Sequence, residues 1–208
     1  MTIIHQTAEL LSEINQTAIL KALELYGRNC YQSEHKITKT SHEAFIKMLL
    51  QRKHMSVLEH INLTFRLITD RGMLAELTRH RLASYSVEST RYVKYDDIVV
   101  VWPFYFTNGK IMDEVDDAEW TDAVQNAEMA YRMLLGNHTP QIARCVLPMS
   151  LATDIVMTAN LREWLHILNL RTAKDAHPQM QELMMQVYKI LNKELPLIFN
   201  QETIPSVI

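Results

Sequence analysis

Apolar side chains recur along this sequence with two different periods, and each period predicts an element. Between residues 8 and 26 they recur every three or four positions, as on one face of a helix, and Gly27 follows as a C-terminal stop. A second helix is predicted from Ser41 to about Gln51. From His60 to Thr69 apolar and polar residues alternate, which indicates a strand with one buried face.

The rest of the chain is mostly helical in pattern. The β-branched and aromatic run 98–107 predicts a further strand that ends at the turn pair Asn108-Gly109. Segment 149–159 fits either a strand or a buried helix, and its pattern does not separate the two. Cap residues, first-turn prolines and following glycines help to place the remaining helices, over 73–81, 115–135, 139–147, 160–171 and 178–195.

Together these elements predict an α+β fold that is rich in helix and has a small, mostly antiparallel sheet. The chain has 208 residues, enough for one domain with a sizeable core, and it shows no repeat or linker. We therefore expect a single domain over residues 1–208.

Composition excludes several classes of function. The net charge of −3 and the pI near 6.3 argue against a nucleic-acid-binding protein. The longest apolar run, 98–106, contains Pro103 and is far shorter than the ~20 residues of a membrane helix. No export signal is visible at the N-terminus, and two cysteines cannot form a disulfide framework, so we expect a cytoplasmic protein. We expect Cys30 and Cys145 to be small buried hydrophobes.

Glycine is scarce, and this limits how the chain could bind phosphate. The four glycines are far apart, so neither a Rossmann turn nor a P-loop can be present. Any phosphate must instead be held by side chains and by ordinary helix ends.

Arginines and hydroxyls cluster between residues 79 and 94, within an acidic chain. The segment RHRLASYSVESTRYVK holds four basic side chains against the single acid Glu88. Guanidinium and hydroxyl groups are the donors that bind phosphate or carboxylate oxygens, so the segment indicates an anion site. The alternative is a solvated basic face.

A second polar stripe lies on the predicted helix 160–171. Arg162, His166 and Asn169 share one face, and a leucine stripe occupies another. We interpret this face as part of a site, the alternative being an ordinary outer surface. His54 and His60 lack the spacing of a metal motif, so no metal site is predicted.

Four segments resemble, in order, the motifs of the flavin-dependent thymidylate synthases. Arg79-His80-Arg81 followed by seven residues and Ser89 matches the R-H-R-x7-S signature of that family. The other three are HMSVLEH at 54–60, RCVLP at 144–148 and NLREWLHILNLR at 160–171. The resemblance implies that family's α+β fold, which binds its flavin without a Rossmann loop.

The resemblance also implies a reaction and its partners. The reaction is reductive methylation of dUMP to dTMP, in which 5,10-methylenetetrahydrofolate donates the carbon, FAD carries electrons and NADPH supplies them. It further implies a homotetramer with active sites shared between subunits. Two alternatives stay open: a flavin-dependent hydroxymethylase of a pyrimidine nucleotide, and a non-catalytic nucleotide-binding protein.

Site residues follow from the matched positions. The flavin contacts implied are His54, Ser56, Arg79, His80, Arg81, Asn160, Arg162 and His166. The nucleotide contacts implied are Glu76, Arg79, Val87, Glu88, Ser89, Thr90, Arg91, Arg144 and Arg171. Arg171 is the expected catalytic residue, since a guanidinium at the uracil carbonyl edge favours the N3-ionised ring and a more nucleophilic C5.

Four positions depart from the family pattern. Glu76 replaces a common Gln, Val87 a common polar residue, and His166 a frequent Asn. Asp175 stands where other members have a histidine near the flavin, so we leave it out of the site.

Overall fold

A computed structural model describes residues 1–103 and 114–207. Its strands are β1 (Thr2–Ile4), β2 (Thr7–Leu10), β3 (Asn62–Asp70), β4 (Ala83–Val87), β5 (Val99–Val101) and β6 (Ala152–Asn160). Its α-helices are α1 (Gln16–Asn29), α2 (Ser41–Gln51), α3 (Arg71–Leu77), α4 (Glu114–Leu135), α5 (Pro140–Ala143), α6 (Leu161–Arg171) and α7 (Pro178–Glu194). Short 3-10 helices cover Glu34–Lys36, Met55–His60 and Arg144–Val146.

The strands form two small sheets. One has four strands in the order β2-β3-β6-β4, and the other pairs β1 with β5. The second pair is parallel, with Thr2 opposite Val99 and Ile4 opposite Val101. Helices and short sheets together make this an α+β protein, as the sequence predicts.

The chain divides into two compact units. The first comprises residues 1–7, 67–79 and 85–156, and the second comprises 8–66, 80–84 and 157–208. The expectation of a single domain over 1–208 stays a prediction.

The core of the first unit forms around β5 and α4. Ile98, Val100, Val124 and Leu151 are almost fully buried together. The Trp102 and Trp120 rings meet edge to face with their centroids 5.9 Å apart, a favoured aromatic geometry. Tyr95, which follows β4 in the chain, packs against this core.

The core of the second unit includes the buried face of α6. The helix begins after Asn160, whose side-chain oxygen accepts a hydrogen bond from the Glu163 N–H at 2.9 Å. Trp164 is fully buried, packs edge-on against Phe65 and donates its ring N–H to the Leu63 carbonyl at 3.1 Å. The leucine stripe of α6 is therefore a packed face, as its spacing predicts.

Most predicted elements are confirmed with small shifts at their ends. The strand predicted over 60–69 is β3, and the helices predicted at 41–51, 115–135, 160–171 and 178–195 are α2, α4, α6 and α7. The ambiguous segment 149–159 folds as β6, a strand whose residues alternate between buried and partly buried. The predicted strand 98–107 is confirmed only at Val99–Val101; residues 104–107 and the turn pair Asn108-Gly109 lie outside the described residues.

The predicted helix 8–26 is wrong at its start. Residues Thr7–Leu10 form β2, and the next residue, Leu11, donates its N–H to the Thr64 carbonyl at 2.9 Å. The helix starts only at Gln16, after the Asn15 cap, because the sheet takes the backbone hydrogen bonds of the earlier residues.

Gly27 is not the predicted stop but lies inside α1. A Cβ there would approach Phe45 Cε1 to 2.7 Å, so the missing side chain allows α1 and α2 to pack closely. The need at this position is for space between helices, which periodicity along one segment does not reveal.

The helix predicted over 73–81 is displaced towards the N-terminus. It runs from Arg71 to Leu77, since the Asp70 side chain caps it by accepting from the Met73 N–H at 2.8 Å.

Cys30 and Cys145 are exposed free thiols, contrary to the expectation of burial. Both lie where a helical segment meets the surface.

Candidate functional site

The two groups of predicted site residues divide between the two units. The flavin contacts other than Arg79 all belong to the second unit, together with Arg171. The remaining nucleotide contacts, and Arg79, belong to the first unit. Each group is therefore described within its own unit.

In the second unit, α6 and the segment after α3 bring Arg171 and His80 into contact. Arg171 donates from Nε to His80 Nε2 at 2.9 Å. His80 is 5% exposed. Because Nε2 accepts this bond, the proton of the neutral imidazole must be on Nδ1. The predicted catalytic guanidinium is thus held in place by a histidine of the R-H-R motif.

Glu163 stands behind His80 and is a site neighbour that sequence reasoning missed. Its Oε1 lies 3.7 Å from His80 Nδ1, and the residue is 6% exposed. Burial raises the pKa of Glu163, although the charge of His166 opposes this. Burial, followed by the positive charges of Arg171 and His166, lowers the pKa of His80 to about 4. His80 is therefore neutral at pH 7, so the pair is not an ion pair there.

The one sequence signal that could have indicated Glu163 as a site neighbour is its position on the predicted helix. It lies three residues after the cap Asn160 and three before His166, within the polar half of α6. Its spacing from Asn160 already explains it as a capping-box residue, so the sequence gives no reason to expect it beside His80.

The same group of side chains could be mistaken for a metal site. Ligand atoms of His80, Glu163 and His166 all lie within 4.8 Å of one another. However, the lone pair of His80 Nε2 is engaged by Arg171, and Nδ1 carries the proton. A cation would have to displace one of these, beside a guanidinium, so the arrangement favours a hydrogen-bonding role.

Five further flavin candidates line two open cavities of the second unit. His54, Ser56 and Arg162 border one of about 410 Å³. Asn160, Arg162 and His166 border another of about 450 Å³. Amide, hydroxyl, imidazole and guanidinium groups can donate to the carbonyl and phosphate oxygens of a flavin nucleotide, so this donor set fits FAD.

Two of these side chains have partners of their own. His54 Nδ1 lies 3.1 Å from the hydroxyl of Tyr31, which also borders the first cavity. Arg162 makes a half-exposed ion pair with Glu59 of the neighbouring 3-10 helix. Arg81 is exposed at the end of the R-H-R motif. Tyr31 has no motif signal and was not foreseen.

In the first unit, residues 88–93 form a turn that we call the nucleotide loop. The Ser89 carbonyl accepts from the N–H groups of Tyr92 and Val93 at 3.1 and 2.9 Å, and Ser89 Oγ accepts from the Arg91 N–H at 3.3 Å. The predicted phosphate contacts Ser89, Thr90 and Arg91 are consecutive residues of this turn.

The α5 region holds the far side of this loop. Arg144 donates from Nη1 to Thr90 Oγ1 at 3.1 Å. Arg91 donates from Nε and Nη2 to Gln141 Oε1 at 3.1 and 3.0 Å. Arg91 and Arg144 are exposed, so both positive charges are available to an anion near the loop. Gln141 was not foreseen, because nothing in its sequence context marks it.

The near side of the loop is held by residues that sequence reasoning also missed. Arg71 donates from Nη1 to the Glu88 carbonyl at 3.1 Å. The Tyr95 hydroxyl donates to the Glu88 carboxylate. Glu88, predicted as a nucleotide contact, therefore has its carboxylate bound within the unit.

The other three predicted nucleotide contacts precede the loop in the sequence. Glu76 is partly buried in α3, and the Arg79 N–H donates to its carbonyl at 3.2 Å. Arg79 is exposed just beyond the helix, and Val87 ends β4 immediately before the loop.

Comparison with known proteins places the chain in a family. Residues 11–197 match the family model described as thymidylate synthase complementing protein. The chain is 32% identical over 188 residues to the flavin-dependent thymidylate synthase of Geobacter sulfurreducens, covering 86% of this chain and 79% of that protein. A Halobacterium salinarum protein with the same name is 36% identical over 166 residues, covering 68% and 67% of the two chains.

A solved structure extends the likeness to nearly the whole chain. The crystal structure of PolB, a UMP/dUMP methylase from Streptomyces cacaoi bound with 5-Br dUMP, superimposes with a TM-score of 0.81 at 25% identity. The match covers 99% of this chain and 97% of that one. With the family match over residues 11–197, these similarities confirm the predicted fold and show that the chain belongs to the flavin-dependent thymidylate synthase family.

Proposed function

We propose that this protein catalyses the reductive methylation of dUMP to dTMP, with FAD as its redox cofactor. In this proposal 5,10-methylenetetrahydrofolate donates the one-carbon unit and NADPH supplies the electrons. The observation that carries the proposal is the family match over residues 11–197. The presence of the R-H-R-x7-S segment and of Arg171 in contact with its histidine supports it further.

The arginines and hydroxyls of the nucleotide loop would bind the phosphate of dUMP. Ser89 and Arg91 supply the hydroxyl and guanidinium donors, and Arg144 adds a second positive charge beside Thr90. Charge-assisted hydrogen bonds of this kind are stronger than neutral ones, so they can anchor a nucleotide without a glycine-rich loop.

Arg171 would act on the uracil ring. A fixed guanidinium near a uracil carbonyl stabilises negative charge there, which favours loss of the N3 proton and raises the electron density at C5. His80 accepts a hydrogen bond from Arg171 Nε. Because His80 is neutral, this bond does not neutralise the positive charge of the guanidinium. The flavin, when bound, supplies hydride chemistry that these side chains lack.

A reaction mixture tests the proposal directly. We expect a yellow protein whose flavin absorbance is bleached by NADPH and restored by air. Incubation with dUMP, methylenetetrahydrofolate and NADPH should give dTMP, identified by mass. A hydroxymethylated product would support the alternative enzyme, and a protein that neither holds nor binds FAD would contradict the enzymatic proposal.

The likeness to a UMP/dUMP methylase favours one second candidate, methylation of UMP. Parallel incubations with dUMP and UMP at equal concentrations separate the two substrates. If the rate with UMP exceeds that with dUMP, UMP is the preferred substrate and the proposed product is wrong.

A further inference from the structure

Arg71 lies outside the predicted site but contacts the nucleotide loop directly. It is the first residue of α3, and its N–H donates to the Met149 and Leu151 carbonyls at 3.1 and 3.2 Å. Its side chain leaves this anchored backbone and donates from Nη1 to the Glu88 carbonyl at 3.1 Å. The guanidinium is thus positioned by the helix start and reaches the first residue of the loop.

Glu88 is held at three points, all by residues outside the loop. Its N–H donates to the Asp154 carbonyl at 2.9 Å, its carbonyl accepts from Arg71, and its carboxylate accepts from Tyr95. Tyr95 in turn lies against Tyr131, whose ring centroid is 6.1 Å away. The loop therefore starts from a fixed residue.

The Tyr95 hydroxyl is protonated at neutral pH and can donate to Glu88. Burial raises its pKa, and the hydrogen bond to Glu88 raises it further, while the charge of Arg71 opposes both. The three side chains form one small network in which the hydroxyl, the carboxylate and the guanidinium interact.

Arg71 is costly to keep in this place. Its Nε and Nη2 are buried and have no hydrogen-bond partner among residues 1–103 and 114–207. Burying unpaired donors opposes folding, so a side chain retained only for packing would be better apolar. Its contact with the loop offers a reason for retaining it.

We propose that Arg71 is a positioning residue for nucleotide binding: it fixes Glu88 and thereby orients Ser89 and Arg91 towards the phosphate before the ligand arrives. This proposal rests on the proposed function for the identity of the ligand. It adds to the predicted contacts a residue that never touches the nucleotide. Pre-orientation reduces the entropy lost on binding, so its removal should weaken affinity without removing any donor to the ligand.

Hydrogen exchange of the ligand-free protein tests the positioning by itself. In Arg71→Met, the amides of Tyr92 and Val93, which bond to Ser89, should exchange at least tenfold faster than in wild type. The amides of Asn137 and His138, which bond to Leu134 in the same unit, should be unchanged. Unchanged exchange in the loop, or a similar acceleration at all four amides, would overturn the proposal.

Calorimetry with dUMP then tests the consequence. Arg71→Met should raise the Kd for dUMP at least tenfold and leave the Kd for FAD within twofold, whereas Arg71→Lys, which keeps a donor, should recover part of the affinity. Tyr95→Phe removes the hydroxyl that bonds to the Glu88 carboxylate and interacts with Arg71. It keeps the bond from Arg71 to the Glu88 carbonyl, so it should show a smaller effect in the same direction. Arg132→Met, another arginine of the first unit, is the matched control and should bind dUMP normally.

The outcomes separate this inference from the proposed function. Equal loss of dUMP and FAD affinity in Arg71→Met would indicate a general structural role and contradict the inference. If Arg71→Met does not fold, Arg71→Lys and Tyr95→Phe carry the same comparison, and normal dUMP affinity and loop exchange in both would overturn it. If wild type itself fails to bind dUMP, the proposed function fails, while the exchange experiment still decides whether Arg71 orders the loop.

Discussion

The contact between His80 and Arg171 shows how one histidine can hold a guanidinium that is predicted to be catalytic. Arg171 donates to Nε2, which requires the proton on Nδ1, and Glu163 lies 3.7 Å from that nitrogen. A neutral His80 accepts the bond, whereas a protonated one would have no lone pair and would repel the arginine. The low pKa of His80 thus preserves the orientation of Arg171.

Arg171→Ala should abolish methylation while FAD stays bound. Removal of one fixed electrostatic group of this kind costs about 100-fold or more in turnover. Steady-state assays of dTMP formation and the flavin spectrum of the purified variant measure the two effects. Lys174→Ala, an exposed cation shortly after the same helix, is the matched control. Near-normal turnover in Arg171→Ala would show that its role is misassigned.

His80 should also make stability depend on pH. Its folded pKa of about 4 is below the ordinary value of 6.5, so the unfolded chain binds more protons between these values. The stabilisation is complete above pH 6.5 and is lost as the pH falls towards 4. We expect a loss of about 1–2 kcal/mol, because solvent near the exposed His166 screens part of the effect.

Urea unfolding at several pH values, compared between wild type and His80→Gln, measures this contribution. Glu163, whose pKa is raised, acts in the opposite direction above pH 4.5, so the difference between the two proteins is the informative quantity. Replacement of the exposed His138 by Gln is the matched control. A parallel profile in His80→Gln would show that this histidine does not titrate as described.

At the scale of elements, α6 combines a buried face with a face of predicted site residues. Leu161, Leu165 and Leu168 are buried, while Arg162 and His166 on the other side are exposed. Asn169, which shares the polar stripe, is used structurally, since its amide donates to the Leu165 and Thr203 carbonyls at 2.9 Å. The buried face therefore determines where the predicted site residues of α6 lie.

Trp164→Phe should reduce the free energy of unfolding by about 1–3 kcal/mol, because the buried Leu63 carbonyl loses its donor. Denaturant unfolding measures the change. Leu170→Ala on the same helix removes a half-exposed side chain and should change stability by only about 0.5 kcal/mol. If the two substitutions cost the same, the hydrogen bond from the indole contributes nothing measurable.

At the scale of the whole molecule, the homotetramer is a prediction that the family resemblance implies. The flavin candidates lie mostly in one unit and the nucleotide candidates mostly in the other. No helix among the described residues is long and apolar enough to cross a membrane.

Mixing two inactive variants tests whether subunits share a site. If Arg171 and Arg144 of one site come from different subunits, co-expression of Arg171→Ala with Arg144→Ala should restore about one quarter of the wild-type activity, since each position is intact with a chance of one half. Each variant expressed alone gives the baseline. Recovery no greater than that baseline would show that one subunit supplies both arginines, and light scattering would give the subunit number.

Sequence alone determined the features that depend on neighbours along the chain. The alternation in β3 and the capped start of α6 are local patterns, and both are found in the structure. The motif segments also determined the family, because a series of specific residues in order carries more information than periodicity.

Tertiary structure decided the features that depend on partners distant in sequence. Thr7–Leu10 became a strand rather than a helix because a sheet edge was available, and Gly27 lies inside α1 because Phe45 needs the space. Glu163 is a site neighbour because it lies beside His80, and Arg71 contacts the loop because it donates to the Glu88 carbonyl. A pattern along the chain records which faces are apolar, but hydrogen bonds between distant segments form only once the fold brings them together.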